Sequence, residues 1–238
     1  MRALVFAAGR GERMRPLTTH TPKPLLPAGN KPLIAWHLEK LAALGVDEVV
    51  INTSWLAARF PEVLGDGSRW GLRLHFSHEG DAPLETGGGM LHALPLLGDE
   101  PFIAVNGDVW TDFDFACLPR APAGDAHLVL VDNPAHHPHG DFVLDAQGRI
   151  GTEGPSRLTF AGIGVYRGAL LAGWRDTVAG DPGTPPCFKL APLLRAAMAR
   201  GAVDGQHHRG DWTDVGTPQR LHELDSRLIA QRPGADPV

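Results

Sequence analysis

The chain has 238 residues, 43% of them hydrophobic, and a formal net charge of −5 at pH 7. This length and composition are typical of one globular domain, and a negative charge without a basic run argues against binding nucleic acid. No apolar stretch is long enough for a membrane span or placed as a secretory leader, so we expect a cytoplasmic protein without membrane contact. Cys117 and Cys187 lack disulfide-framework and zinc-ligand spacing, so we expect buried or idle thiols.

Predicted strands and helices alternate in the first half of the chain. Apolar runs rich in β-branched residues predict strands at 3–8, 46–52, 72–77, 102–106 and 127–132. Apolar residues at helical spacing predict helices at 33–44, 56–64 and 88–97. This alternation predicts an α/β fold with a mostly parallel sheet covered on both faces, whose ligands bind beyond the carboxyl ends of the strands.

The pattern changes after residue 140. Short strands at 142–144 and 159–166 are expected to extend the sheet or to form a small substrate-binding subsheet. A helix at 189–200, a strand at 202–207 and a helix at 218–231 follow. We expect one domain over 1–232, with a nucleotide-binding part at about 1–110, a sugar-binding part at about 111–217, a closing helix at 218–231 and a frayed tail at 233–238.

The segment after the first strand is rich in glycine and cations. Gly9 and Gly11 permit backbone geometries in which successive N–H groups face one anion, and Arg10, Arg13, Arg15 and Lys23 add positive charge. The spacing is neither that of a Walker A loop nor that of the dinucleotide fingerprint. The segment therefore predicts a different kind of triphosphate site.

Asp108 follows the strand at 102–106, which places it at the same sheet edge as the glycine-rich segment after the first strand. A carboxylate at that position can bind a cation, and it can also act as a turn residue. Mg²⁺ between phosphates would reduce their repulsion, so Asp108 is the first candidate ligand.

Residues 9–18 and 22–27 resemble the paired signature of the sugar-1-phosphate nucleotidylyltransferases, and the segments ending in Asp108 and around Asp214 are similar to two further family motifs. The resemblance implies a Rossmann-like three-layer α/β/α nucleotidyltransferase fold with a small substrate-binding subsheet. It also implies a Mg²⁺-dependent attack of a sugar phosphate on the α-phosphorus of a nucleotide. It makes Lys23, Arg13 and Asp108 catalytic, and Asp108 and Asp214 the metal ligands, with Asp112 and Asp211 as competitors for the second position.

The resemblance also implies where the nucleotide binds. The implied nucleotide-binding residues are Ala8, Gly9, Gly11, Glu12, Arg13, Lys23, Glu79, Glu85, Thr86 and Gly87. Glu79 stands where many members have Gln, and a carboxylate can accept hydrogen bonds from either uracil or guanine, so it leaves the base open. Gly87 and Gly88 begin a predicted helix, where close approach to a ligand is expected.

For the sugar phosphate, the resemblance implies Asn106, Gly140, Asp141, Glu153 and Arg157. Many members have Lys after the residue matching Glu153, whereas this chain has Gly154. Its role in holding the sugar phosphate then passes to Arg157 or Lys189, or to Mg²⁺ and Asn106. A sugar with an extra carboxylate would need a cation such as Arg157, Arg209 or Lys31. The histidines at 136, 137, 139, 207 and 208 lack paired metal-ligand spacing and predict surface or supporting roles.

The resemblance favours UTP and N-acetylmuramic acid 1-phosphate as substrates. Mannose 1-phosphate with GTP, or glucose 1-phosphate with UTP or dTTP, remain open. A non-catalytic regulatory protein that binds nucleotide sugars is also open, although such a chain is expected to lose Lys23 or a metal carboxylate. The sequence has no hexapeptide repeat of the kind found in larger relatives, which favours a monomer.

Overall fold

The computed structural model describes residues 1–231. Its strands are β1 (Arg2–Phe6), β2 (Pro27–Ala28), β3 (Lys31–Pro32), β4 (Glu48–Thr53), β5 (Arg73–His78), β6 (Phe102–Asn106), β7 (Val109–Thr111), β8 (Ala126–Val131), β9 (Val143–Leu144), β10 (Ile150–Gly151), β11 (Thr159–Tyr166), β12 (Val203–His208) and β13 (Trp212–Asp214). Its α-helices are α1 (Leu33–Ala43), α2 (Arg59–Leu64), α3 (Glu85–Leu97), α4 (Trp174–Thr177), α5 (Ala191–Ala199) and α6 (Pro218–Ala230).

Seven strands form the central sheet, in the order β12-β8-β11-β6-β1-β4-β5 within the described residues. Neighbouring strands are parallel except at β11, which is antiparallel to both β6 and β8. The predicted, mostly parallel sheet is confirmed. Because β1, β4, β5 and β6 run in the same direction, the loops that follow them lie at one edge of the sheet.

The sheet is covered on both faces because its inner strands are apolar on both sides. Val5 and Val105 pack into the core layer that contains α1, whereas Leu4 and Ala104 pack into the layer that contains α3 and α5. All four of these strand residues are at most 2% exposed. This alternation gives the three-layer α/β/α arrangement that the sequence predicts.

Besides the two core layers, a third apolar cluster packs against the loop that follows β1. Met14, from that loop, is 1% exposed and packs with Trp110 and the α6 residues Leu221, Leu224 and Leu228. The closing helix therefore supports the loop that follows β1.

The strand predicted at 159–166 is confirmed and extends the central sheet, whereas Val143–Leu144 pairs with Ile150–Gly151 in a separate two-stranded sheet. Two helix starts differ from the sequence predictions. The helix predicted at 88–97 starts at Glu85, and the helix predicted at 56–64 starts at Arg59. The predicted tail at 233–238 lies outside the described residues, as does residue 232, and the division of the chain into functional parts stays a prediction.

Strands β7 and β13 were missed because three residues are too few for a periodic pattern. In the described part of the chain, the longest helices have 13 residues each, and no helix could cross a membrane.

Candidate active site

The loop after β1 has a fixed main chain and exposed cationic side chains. Gly11 has φ 62°, and its carbonyl accepts hydrogen bonds from the Met14 amide (2.9 Å) and from Thr18 Oγ1 (2.8 Å). A side chain at Gly11 would also lie 2.9 Å from the Thr18 methyl carbon, so glycine is required there. Arg13 and Arg15 stay exposed on this turn. The loop can thus present fixed positive charge to an anionic ligand.

A cavity of about 310 Å³ opens at the carboxyl edge of the sheet, beside this loop. It is lined by Phe6, Ala7, Ala8, Gly9, Gly11, Lys23, Pro24, Asn52, Glu79, Pro83, Glu85, Thr86, Asn106 and Asp108. Glu12 and Arg13 line an adjoining open groove, which also contains Gly11 and Lys23. Most of the predicted nucleotide-binding residues therefore lie in one continuous region, which we call the nucleotide cavity.

Lys23 and Asp108 form an ion pair in this cavity. Lys23 begins a short 3₁₀ turn between Pro22 and Pro24, and its side chain is 13% exposed. Asp108 lies two residues after the end of β6, and its side chain is more exposed than that of Lys23. A cation with restricted motion beside a partly exposed carboxylate is suited to neutralising phosphate charge.

Asp214 lies close to Asp108 because β7 and β13 are paired. Asp214 is opposite Val109, and the Val215 amide donates to the Asp108 carbonyl (2.8 Å). The Asp214 carboxylate contacts Arg220 Nη1 at 2.5 Å and His136 Nε2 at 2.9 Å. Its negative charge is therefore already partly balanced.

Asp112 and Asp211, the competitors for the second metal-ligand position, lie at the other end of the paired strands β7 and β13, where Trp212 pairs with Thr111. Asp112 contacts His208 Nε2 (2.7 Å), and Asp211 contacts Arg227 Nη1 (3.5 Å). Asp214 is therefore better placed than either to act together with Asp108. Carboxylate oxygens suit Mg²⁺, so this pair fits the implied metal. No group of three or more His, Cys, Asp or Glu side chains able to hold a metal occurs in residues 1–231.

Glu79 is almost fully buried at the side of the nucleotide cavity. Its Oε1 accepts from Asn52 Nδ2 (2.6 Å), and its Oε2 accepts from the Leu84 amide (2.7 Å). Asn52 Oδ1 in turn accepts from the Ala7 amide (2.6 Å). Burial raises the pKa of Glu79, and these two hydrogen bonds oppose the shift.

These hydrogen bonds connect the ends of β1, β4 and β5 with the following loop. Both Glu79 oxygens already accept protein donors, and its role in reading the base stays a prediction. The sequence analysis did not identify Asn52 as a residue of the site. Its position at the end of a predicted strand, like that of Asn106, was a signal in the sequence.

The start of α3 also departs from expectation. The amides of Gly87 and Gly88 both donate to the Phe188 carbonyl, at 2.8 and 3.0 Å, and are not free for a ligand. A Cβ at Gly87 would lie 2.5 Å from the Phe188 ring. Gly87 therefore permits close packing and does not line the nucleotide cavity, and its nucleotide-binding role stays a prediction. Glu85 does line it and has φ 61°, an uncommon value for a side-chain-bearing residue.

A second cavity, of about 190 Å³, shares Phe6, Thr86 and Asn106 with the first. We call it the sugar cavity. Its other lining residues are Ala104, Asp141, Phe142, Phe160, Gly162, Tyr166, Leu190, Ala191, Leu194 and Arg195. Asp141 Oδ2 accepts from the Phe160 amide (2.9 Å), and its Oδ1 contacts His137 Nε2 (3.1 Å).

Three predicted sugar-binding residues line neither cavity. Gly140, with φ 59°, forms a turn in which a Cβ would lie 2.6 Å from Asn133 Oδ1. Glu153 is exposed, and Arg157 Nη2 donates to the Thr152 carbonyl (2.8 Å). Their sugar-binding roles stay predictions, which depend on motif positions in loops whose course the sequence does not determine.

The other proposed cations are not among the residues that line either cavity. Lys31 pairs with Glu39, while Lys189 and Arg209 are exposed and line neither cavity. Four of the surface histidines pair with aspartates, namely His136 with Asp214, His137 with Asp141, His207 with Asp132 and His208 with Asp112. Cys117 and Cys187 are free and exposed.

A bulge in β11 lies against Asn106, which lines both cavities. The register shifts between Phe160 and Gly164, and Gly162 has φ 73°. Trp212 Nε1 donates to the Ala161 carbonyl (2.9 Å) and so holds the bulge from β13. Bulges of this kind redirect side chains next to sites. Here the missing side chain of Gly162 leaves room for Asn106.

The chain is similar to known proteins along nearly its whole length. A family model described as "Nucleotidyl transferase" matches residues 2–231. The chain is 48% identical to the N-acetylmuramate alpha-1-phosphate uridylyltransferase of Neisseria meningitidis serogroup B, over 95% of this chain and 97% of that protein. It is 34% identical to the protein of the same name from Caulobacter vibrioides, over 95% and 96% of the two chains.

The fold is also found among solved structures. The crystal structure of a putative glucose-1-phosphate thymidylyltransferase from Bacillus anthracis, in complex with a sucrose, matches with a TM-score of 0.81. The match covers 98% of this chain and 97% of that chain at 21% sequence identity.

Proposed function

Because the chain belongs to the nucleotidyl transferase family, we propose that it transfers the uridylyl group of UTP to N-acetylmuramic acid α-1-phosphate, giving UDP-N-acetylmuramic acid and pyrophosphate. The observation that carries the reaction type is the Lys23–Asp108 pair in the nucleotide cavity, beside the glycine- and arginine-bearing loop. The names of the two relatives support the choice of substrates.

The two cavities fit two substrates that meet at a shared wall. Phe6, Thr86 and Asn106 line both, so a nucleotide in one and a sugar phosphate in the other would be adjacent. Holding two reactants in this way replaces a bimolecular encounter with an oriented one. The sugar-phosphate oxygen then forms a bond to the α-phosphorus, and the bond from that phosphorus to the bridging oxygen breaks. Pyrophosphate leaves with the electron pair of that bond.

No side chain needs to act as a nucleophile, because the attacking phosphate is already an anion. Lys23 neutralises charge on the reacting phosphates, and Arg13 stabilises the leaving pyrophosphate from the exposed side of the loop. Asn106, at the shared wall, donates its amide hydrogens to the sugar phosphate. Catalysis is therefore positioning and electrostatics.

We propose that Asp108 and Asp214 hold Mg²⁺. When bound, the ion would supply charge neutralisation between the two phosphates. Asp214, held by Arg220 and His136, is preset in orientation. Pyrophosphate release should need Mg²⁺ and should disappear in Asp108→Asn, and release that continues in this variant would contradict the metal assignment.

The proposed product is an activated form of a peptidoglycan sugar, so we place the reaction in cell-wall recycling in the cytoplasm. The direct test incubates the protein with UTP, N-acetylmuramic acid 1-phosphate and Mg²⁺ and analyses the mixture by mass spectrometry. We expect UDP-N-acetylmuramic acid and pyrophosphate in equal amounts. Binding of the nucleotide sugar without turnover would instead support a regulatory protein and would contradict the proposal.

A further inference from the structure

One wall of the sugar cavity is formed by α5 and the residue before it. Leu190, Ala191, Leu194 and Arg195 all line this cavity, as their spacing of three and four residues places them on one side of the helix. Leu190 and Leu194 are buried, whereas Arg195 is exposed. The wall is thus apolar and carries a cation at its solvent side.

Arg195 has no competing partner in the described part of the chain. It forms no hydrogen bond or ion pair with any residue in 1–231, whereas Arg200, which follows the same helix, pairs with Asp125 at 2.8 Å. The other charged residue that lines the cavity, Asp141, contacts His137 and accepts from the Phe160 amide. The positive charge at the cavity is therefore unpaired, while the negative charge is partnered.

This pattern favours a ligand that carries a negative charge beyond its phosphate. The guanidinium group of arginine can bind a carboxylate through two parallel hydrogen bonds. Phe142, Phe160 and Leu194 provide apolar contacts in the same cavity. A sugar that carries a short carboxylic acid with a methyl group matches both features.

We propose that Arg195 binds the carboxylate of the lactyl ether on the sugar and so selects an acidic amino sugar 1-phosphate over its neutral counterpart. The inference rests on the proposed function and names a residue that determines its substrate. Arg195 is the cation that lines this cavity within the described residues, whereas the cations suggested by the sequence, Lys31, Arg157, Lys189 and Arg209, do not line it. Arg195 does not touch the reacting atoms, so its effect lies in binding.

The test measures kcat and KM with UTP and two acceptors, N-acetylmuramic acid 1-phosphate and N-acetylglucosamine 1-phosphate, which lacks the lactyl ether. In Arg195→Gln, we expect kcat/KM for the acidic acceptor to fall about 10- to 100-fold, as expected for losing a charged hydrogen-bonded pair. The loss should appear in KM, since the carboxylate is remote from the phosphorus. The neutral acceptor should change by less than about twofold.

Two further variants complete the test. Arg195→Lys should keep part of the preference, because a lysine retains the charge without the paired geometry. Arg200→Gln is the matched control and should leave the ratio between acceptors unchanged.

Equal losses on both acceptors, or no loss on either, would overturn the assignment of Arg195. If the wild-type protein does not use the acidic acceptor at all, the proposed function fails, and this result is visible before any variant is compared.

Discussion

Substitution of Gly162 tests the close contact between the β11 bulge and Asn106, which lines both cavities. Replacing Gly162 with alanine would place a Cβ at 2.6 Å from Asn106 Nδ2, 2.8 Å from its Cγ and 3.0 Å from its Cβ. The residue also has φ 73°, which costs alanine about 1 to 2 kcal/mol. The clash adds the cost of overpacking, about 1 to 3 kcal/mol. We therefore expect Gly162→Ala to lower the free energy of unfolding by about 2 to 5 kcal/mol.

The same substitution should lower activity, because Asn106 lines both cavities and must move away from the new methyl group. Urea unfolding measures the stability, and initial rates of pyrophosphate release measure the activity. Gly151→Ala is the matched control, since a Cβ there meets no atom within 4 Å and the residue has no positive φ. This control should unfold at nearly the wild-type urea concentration.

A double variant separates the two costs. Adding Asn106→Ala to Gly162→Ala removes the two shortest contacts, to Nδ2 and Cγ, and keeps the contact to Cβ at 3.0 Å. Most of the contact part of the destabilisation should therefore be recovered while the backbone part remains. Gly162→Ala with wild-type stability and wild-type rates would refute this account of the bulge.

Three further predictions follow from buried and strained groups. Burial lowers the pKa of His37 to about 4, and its Nε2 donates to the Val109 carbonyl (2.8 Å), directly after Asp108. Because the unfolded chain binds this proton from about pH 6.5 downward, the free energy of unfolding should rise by about 3 kcal/mol between about pH 4 and 6.5. Urea unfolding of His37→Leu across that range should lack this rise, and an equal rise in the variant would contradict the assignment. Lys23→Ala should reduce kcat about 100-fold or more without changing the thermal unfolding midpoint, and near-normal turnover would exclude its electrostatic role. Since Glu85 has φ 61°, Glu85→Gly should be about 1 kcal/mol more stable than Glu85→Ala in urea, the reverse of the usual helix preference, and an Ala variant that is equally or more stable would show that no strain exists.

The sequence predicted which residues lie close together where each of them follows a predicted strand of the parallel sheet. Gly11, Lys23 and Asp108 follow two predicted strands, and parallel strands bring their following loops to one edge. The sequence therefore predicted that these residues would meet, although they are up to 97 positions apart. The structure brings all three to the nucleotide cavity.

The sequence was less informative where a side chain's partner comes from a distant loop. The hydrogen bonds of Glu79 depend on Asn52 and on the turn at Leu84, and the environment of Gly87 depends on Phe188. Neither partner could be predicted from spacing. Motif positions alone favoured a ligand-binding role in both cases.

At the sugar cavity, too, the role of a residue depends on what packs against its helix and not on its local sequence pattern. Arg195 reads as an ordinary exposed residue of an amphipathic helix, because nothing in its local pattern indicates what the helix packs against. Its significance depends on the way α5 closes the space beside Phe160 and Tyr166. Loops such as the one that carries Arg157 could not be placed for the same reason.

The most direct test of the central claim is a matrix of kcat/KM values for UTP, GTP and dTTP against the 1-phosphates of N-acetylmuramic acid, glucose and mannose. We predict that the highest value belongs to UTP with N-acetylmuramic acid 1-phosphate, and that GTP with mannose 1-phosphate is lower by at least about tenfold, the factor for 1.4 kcal/mol. A highest value for GTP with mannose 1-phosphate, or for UTP or dTTP with glucose 1-phosphate, would contradict the account.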